Sequence, residues 1–335
     1  MDERFDNLRQ RLGQRFASDD PLQIIPYRGY GTADRLYLKG RVLEDEGIRP
    51  GSDRDSFWDN LLNMYRRFES DEIPGARLLA RFQGQVHEVT ADDEGYFELW
   101  ITPAAPLPAG QLWHTVNLEL VEPLRPGHRP VQATGRILVP PATAQFGVIS
   151  DIDDTIVVAE VTNLLKMAKN VFLGNARTRL PFPGVAAFYQ ALRAGMDGRT
   201  HNPLFYVSSS PWNLYELLSD FFQLNGIDPE PILLLRDWGI SESELLPTGH
   251  HEHKLAAIGR LLDLYPHLPF LLIGDSGQQD PEIYHQIVHD YPGRIAAVYI
   301  RHVDQTPERT AAVQALAADV AASDTHFCSL TIPKP

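Results

Sequence analysis

Cysteine is almost missing from this chain: Cys328 is the single thiol in 335 residues. A lone thiol excludes an intrachain disulfide framework and fits a reducing compartment. Also missing is any run of about 18 apolar residues, the length that crosses a bilayer as a helix. The opening MDERFDNLRQ is charged and has no apolar signal-peptide core, so the expectation is a cytoplasmic protein. Basic residues are in deficit, with 30 Lys and Arg against 44 Asp and Glu and a formal net charge of −14. That balance argues against bulk nucleic-acid binding and against adsorption to an anionic membrane. Acidic residues in turn vanish between Val161 and Met196, where Lys166, Lys169, Arg177, Arg179 and Arg193 stand. A solvated helix face is the ordinary reading of such an island. Its place after a carboxylate cluster makes an anionic substrate the other.

At this length and with 43% hydrophobic residues, the chain suggests two domains with proper cores. Residues 1–20 have helical spacing in Phe5, Leu8, Leu12 and Phe16, and Phe57, Trp58, Leu61, Leu62, Tyr65 and Phe68 share one helical face. Between them, Leu36, Leu38, Gly40 and Val42 alternate with polar neighbours, as in a half-buried strand. Further strands are expected at 77–89, 96–102, 113–121 and 131–139, separated by turns such as Asp92-Asp93-Glu94-Gly95. Residues 21–140 thus read as a mainly β accessory domain, a small antiparallel sandwich with a binding or scaffolding role.

Val139-Pro140-Pro141-Ala142-Thr143 reads as a linker, after which strands and helices alternate. Strands are expected at 146–150, 203–207, 231–235, 269–273 and 294–300. Helices are expected at 161–173, 184–194, 211–224, 252–264, 280–289 and 307–322. The alternation predicts an α/β domain over 145–330 with a doubly wound parallel sheet. Such sheets bind ligands at the carboxyl ends of their strands, so the residues just past each strand carry the chemistry.

The first strand ends in Ser150-Asp151-Ile152-Asp153-Asp154-Thr155, where three carboxylates repel one another unless a cation or proton sits among them. After the second come Ser208-Ser209-Ser210-Pro211-Trp212. After Phe270-Leu271-Leu272-Ile273 comes Gly274-Asp275-Ser276-Gly277-Gln278-Gln279-Asp280, and before that strand His253-Lys254 opens a helical stretch. Carboxylates, hydroxyls and one lysine suit phosphoryl transfer, where the protein mainly positions and stabilises charge. A calcium loop does not fit, because Thr155 and Ile156 occupy the positions where an EF-hand has an oxygen ligand and a glycine. No cysteine accompanies His250, His251 and His253, and no zinc is assigned to them; His201 and His302 are read as structural.

In order and spacing, SDIDDT, YVSSSPWNLY, the His253-Lys254 pair and GDSGQQDPEIY resemble the signature motifs of the haloacid dehalogenase superfamily. More narrowly, they resemble the App1-type phosphatidate phosphatase catalytic domain. The resemblance covers roughly 145–305. It implies a haloacid-dehalogenase-like fold and a Mg2+-dependent phosphomonoesterase that works through an aspartyl-phosphate. Asp151 would be the nucleophile and Asp153 the acid/base partner, its backbone carbonyl facing the metal. Ser208 would bind phosphate, with Ser209 or Ser210 as substitutes, and Lys254 would neutralise nucleophile and phosphate. Asp275 would join Asp151 and Asp153 as a Mg2+ ligand, with Asp280 direct or one shell out. Phosphatidate, hydrolysed to diacylglycerol and phosphate, is the implied substrate. A different phosphomonoester, such as a sugar phosphate or phosphoprotein, and a non-catalytic adaptor stay open beside it.

The gaps at 156–203 and between Leu235 and Lys254 are too short for a large cap, which predicts an open mouth suited to a bulky or interfacial substrate. Val161, Leu164, Leu165, Ala168, Val171 and Phe172 form a helical stripe. It reads first as core-facing, and second as an interfacial helix giving transient membrane-surface contact.

Overall fold

The computed structural model describes residues 21–45, 72–125, 129–153, 155–156, 184–198, 200–237, 247–303, 306–323 and 325–330, with backbone alone at 247–250 and 329–330. The expected helices at 1–20, 57–68 and 161–173 lie outside the described residues, as does Asp154. The chain divides into two compact units, Met1–Val139 and Pro140–Pro335.

The first unit is a β-sheet unit of eight strands: β1 (Leu22–Pro26), β2 (Gly29–Gly31), β3 (Leu36–Glu44), β4 (Arg77–Phe82), β5 (Gln85–Thr90), β6 (Tyr96–Ile101), β7 (Trp113–Glu122) and β8 (Gln132–Leu138). They pair in the order β1-β3-β2-β8-β7-β4-β5, with β6 also on β3. The pairing is mixed, where the sequence suggested a purely antiparallel unit. The reason is β2, which enters between β3 and β8, antiparallel to the first and parallel to the second. The stretch expected as one strand at 77–89 is a tight hairpin turning at Gln83 and Gly84, both with positive φ (47° and 78°), as a primed two-residue turn requires.

Alternation along β3 suggested a half-buried strand, yet every position of it is buried. The polar face is covered through its own chemistry. Lys39 pairs with Glu98 at 2.9 Å and lies over the Tyr96 ring, while Arg41 stacks on the same ring and donates to the Glu94 carbonyl. The apolar face, with Leu36, Leu38 and Val42, joins a core built with Leu78, Ala80, Phe97, Ile101, Val116, Leu118 and Ile137.

The second unit is α/β. Six strands, β9 (Gly147–Asp151), β10 (Leu204–Pro211), β11 (Ile232–Arg236), β12 (Phe270–Asp275), β13 (Ile295–Arg301) and β14 (His326–Leu330), lie in the order β11-β10-β9-β12-β13-β14. Every pairing is parallel. The described helices are α1 (Val185–Ala194), α2 (Tyr215–Leu224) after a 3-10 turn at Trp212–Leu214, α3 (Pro247–Leu264), α4 (Asp280–Asp290) and α5 (Pro307–Ala321). The central strands β9 and β12 are buried at every position, which is why each reads as an apolar run up to its polar end. The entry to β9 is fixed by Asn202, whose Oδ1 accepts from the amides of Gln145 and Phe146 while its amide donates to the Leu192 carbonyl. Among the described residues no helix is long and apolar enough to cross a membrane.

Candidate active site

Successive strands step from β9 to β10 to β11 in one direction, and the next strand, β12, returns to the other side of β9. A crevice opens at such a reversal, beyond the carboxyl ends of the two diverging strands. β9 ends on Asp151 and β12 on Asp275, so the carboxylates sit at this crevice because they are the last residues of neighbouring parallel strands. On the other flank, Val207 of β10 is in register with Asp151 and Ser208 comes next.

Lys254, from α3, reaches the same point. Its Nζ donates to Asp151 Oδ1 at 2.7 Å and to Asp280 Oδ1 at 2.6 Å. Asp280 opens α4, and its other oxygen accepts from the Asp275 amide at 3.1 Å. Asp275 Oδ1 accepts from the amides of Gly277 and Gln278 at 2.6 and 3.1 Å, which turns the chain from β12 towards α4. One oxygen from each of Asp151, Asp275 and Asp280 lies within 4.8 Å of the others, and all three residues are buried. Thr155 Oγ1 lies 3.5 Å from Asp151 Oδ2.

One buried ammonium therefore faces three buried carboxylates, which leaves an excess of negative charge in a dry place. Burial, and then the charge of Asp280, push the Asp151 carboxyl well above its ordinary range, against the pull of Lys254. For Lys254, burial favours the neutral amine, but the attraction of Asp151 and Asp280 outweighs it and keeps the ammonium. Asp151, Asp275 and Asp280 could hold a hard divalent cation, since their donors are carboxylate oxygens alone and one ammonium does not balance three carboxylates.

Asp153 is not one of the three grouped carboxylates, though its charge acts on Asp151. Its Oδ2 accepts from the Ser208 hydroxyl at 3.1 Å, and Ser208 Oγ in turn accepts from the Ser210 amide at 3.0 Å. Ser208 thus orients Asp153, while Ser209 is half-buried beside it. Asp280, expected from the sequence as a direct or outer partner of the metal, groups its carboxylate with those of Asp151 and Asp275.

Further residues support the site, among them Arg309, which no motif of the sequence contains. Gly274 is required by the approach of α4: a Cβ there would stand 2.6 Å from Asp280 Oδ2 and 2.8 Å from Tyr284 Cε2. Tyr284, on α4, donates to the Ile273 carbonyl at 2.9 Å. Arg309, on α5, donates to the carbonyls of Ser276 and Gln278 and forks onto Glu282. Ser150 bonds the Tyr189 hydroxyl at 2.6 Å and donates to the Asp151 carbonyl at 2.7 Å. His253 buries an Nε2 that has no hydrogen-bond partner, and burial lowers its pKa to about 4. Arg193, the one described cation of the basic island, pairs with the buried Asp228.

Residues 146–302, which carry the carboxylates, Lys254 and Ser208, match the family of the phosphatidate phosphatase APP1 catalytic domain. The match takes in Asp151, Asp153, Ser208, Lys254, Asp275 and Asp280. The chain is 35% identical over 157 residues to phosphatidate phosphatase APP1 of Saccharomyces cerevisiae, covering 47% of this chain and 26% of that protein. It is 30% identical over 162 residues to an uncharacterised protein of Schizosaccharomyces pombe, covering 47% of this chain and 25% of that one. The aligned region thus spans about a quarter of the length of either relative. Among solved structures, a carbohydrate acetylesterase from Xanthomonas citri aligns with 91% of this chain and 66% of its own. At 12% identity and a TM-score of 0.31 it carries no argument.

Proposed function

We propose that the second unit is a Mg2+-dependent phosphatase of the haloacid dehalogenase type, acting on phosphatidate through an aspartyl-phosphate. The observation that carries this is the strand-end constellation in which Lys254 holds Asp151 and Asp280 beside Asp275, within the region that matches the APP1 catalytic domain. The parallel sheet and its strand order suit a doubly wound fold of that type. For the first unit the proposal is a sandwich-like accessory role.

In this reading an Asp151 oxygen attacks phosphorus, and the bond from phosphorus to the lipid oxygen breaks. Asp153, oriented by Ser208, gives its proton to that oxygen, so diacylglycerol leaves neutral. Water then attacks the phosphorus of the aspartyl-phosphate, the bond to Asp151 breaks, and Asp153 takes the proton from the water. Phosphate leaves and Asp151 is regenerated. Separating acid from nucleophile requires two carboxyls in different environments, and here one is buried against an ammonium while the other faces a hydroxyl. Lys254 aims Asp151 and offsets charge as the phosphoryl group arrives. Asp151 and Asp275, with Asp280 beside them and the Asp153 carbonyl, would hold Mg2+, which supplies counter-charge for the phosphoryl oxygens.

Phosphate release from phosphatidate micelles and from soluble phosphomonoesters, each with Mg2+ and with EDTA, tests the proposal. Release from phosphatidate alone that EDTA abolishes supports it. Preference for a soluble ester would overturn the lipid assignment, and no release from any ester would favour a binding module.

A further inference from the structure

On the surface of the second unit, α4 packs against α5, and their contact gathers three metal-ligating side chains outside the carboxylate site. His285 and His289 stand four residues apart on α4, the spacing that sets two imidazoles on one helix face. Their Nε2 atoms lie 2.6 and 3.0 Å from the same oxygen, Oδ2 of Asp319 on α5, and 3.2 Å from each other.

With Asp319 ionised, no set of protons makes all three edges of this triangle hydrogen bonds. If both nitrogens carry protons towards the carboxylate, two donors crowd each other. If one nitrogen is bare, its lone pair faces a carboxylate lone pair. A divalent cation capping the triangle turns each lone pair into a ligand bond. In a tetrahedral site with bonds of about 2.0–2.1 Å, ligand atoms stand ~3.3 Å apart; the 3.2 and 3.0 Å edges are near this, and the 2.6 Å edge from His285 to Asp319 opens as the ion enters. The side chains of His285, His289 and Asp319 are 28%, 45% and 56% exposed, so an ion reaches them from solvent and a water can complete the shell.

We propose that His285, His289 and Asp319 form a second metal site, of the two-imidazole, one-carboxylate class, that selects a borderline divalent cation such as Zn2+ over Mg2+. Occupied, it cross-links α4 to α5. The first of these helices begins with Asp280, and the second carries Arg309, which holds the backbone at Ser276 and Gln278. The ion thus braces the two helices behind the carboxylate site without entering it. This inference does not depend on the phosphatase reading.

Equilibrium dialysis of the full chain, stripped of metal and held in excess Mg2+, against Zn2+ tests it. The wild type should bind one equivalent that also raises its melting temperature. His285→Gln and His289→Gln, at positions open to solvent, should weaken that binding at least ~10–100-fold, because even outer-shell changes have that effect. Both variants should melt like the metal-free wild type, and Asp151→Asn should bind Zn2+ as the wild type does. Absence of Zn2+ binding, undiminished binding in both histidine variants, or loss confined to Asp151→Asn would overturn the proposal.

Discussion

Lys254 Nζ lies 2.7 Å from Asp151 Oδ1 across 103 residues of sequence, with both side chains almost wholly buried. An ion pair in such a place gains little over an apolar pair of the same shape, but leaving one partner alone there is costly. Its use is positional: it fixes the oxygen that would meet phosphorus.

The first prediction concerns this pair. Lys254→Met leaves Asp151 and Asp280 facing each other without a cation and should destabilise the fold by ~3–5 kcal/mol. Urea unfolding measures this. Lys254→Met combined with Asp280→Asn should recover part of the loss, since the two changes act on one network.

Gly274 supplies the second. Gly274→Ala puts a methyl 2.6 Å from Asp280 Oδ2, so α4 must retreat. Overpacking of this kind costs about 1–3 kcal/mol. Phosphate release should fall further than stability alone explains, because Asp280 moves away from Lys254. Parallel melting curves and rates separate the two effects.

The third concerns Arg309. Arg309→Lys cannot hold Glu282 and the carbonyls of Ser276 and Gln278 together, because an ammonium lacks the planar fork. The expected loss is about 1–3 kcal/mol, with weaker Mg2+ activation as the segment beside Asp275 loosens. A Mg2+ titration of phosphate release checks it.

The fourth is a pH dependence. Burial lowers the pKa of His253 from 6.5 to about 4 in the fold. The unfolded chain thus binds a proton that the folded chain refuses. The stability that depends on neutral His253 is fully present above pH ~6.5 and is lost as pH falls towards 4, by up to ~3 kcal/mol. His253→Gln should flatten this part of the stability curve between pH 7 and pH 4, read by denaturant midpoints.

Much of the second unit was legible because its strands are buried on both faces and end on polar residues. β9 to β13 and the described helices α1 to α5 fall close to where apolar runs and helical spacing place them. β14 was missed because His326, Cys328 and Ser329 break the apolar run. β2 was missed because three residues, Gly29-Tyr30-Gly31, look like a turn. The full burial of β3 was hidden by Lys39 and Arg41, whose charges are met by Glu98, Glu72 and an aromatic ring far along the chain. In the candidate site the strand ends announced Asp151, Ser208 and Asp275. The closeness of Asp280 to Lys254, and the contact of Asp153 with Ser208, depend on helix packing and strand neighbours that no spacing encodes. His285 and His289 stand at helical spacing in the chain, but their third partner lies on another helix.

The central claim is that Asp151 becomes phosphorylated, and borohydride trapping tests it most directly. Quenching the enzyme during turnover of phosphatidate with Mg2+ and reducing it should convert Asp151 to homoserine in the peptide that contains it, and Asp151→Asn should abolish phosphate release while keeping its fold. Unmodified Asp151 during full turnover, or undiminished release by Asp151→Asn, would contradict the account.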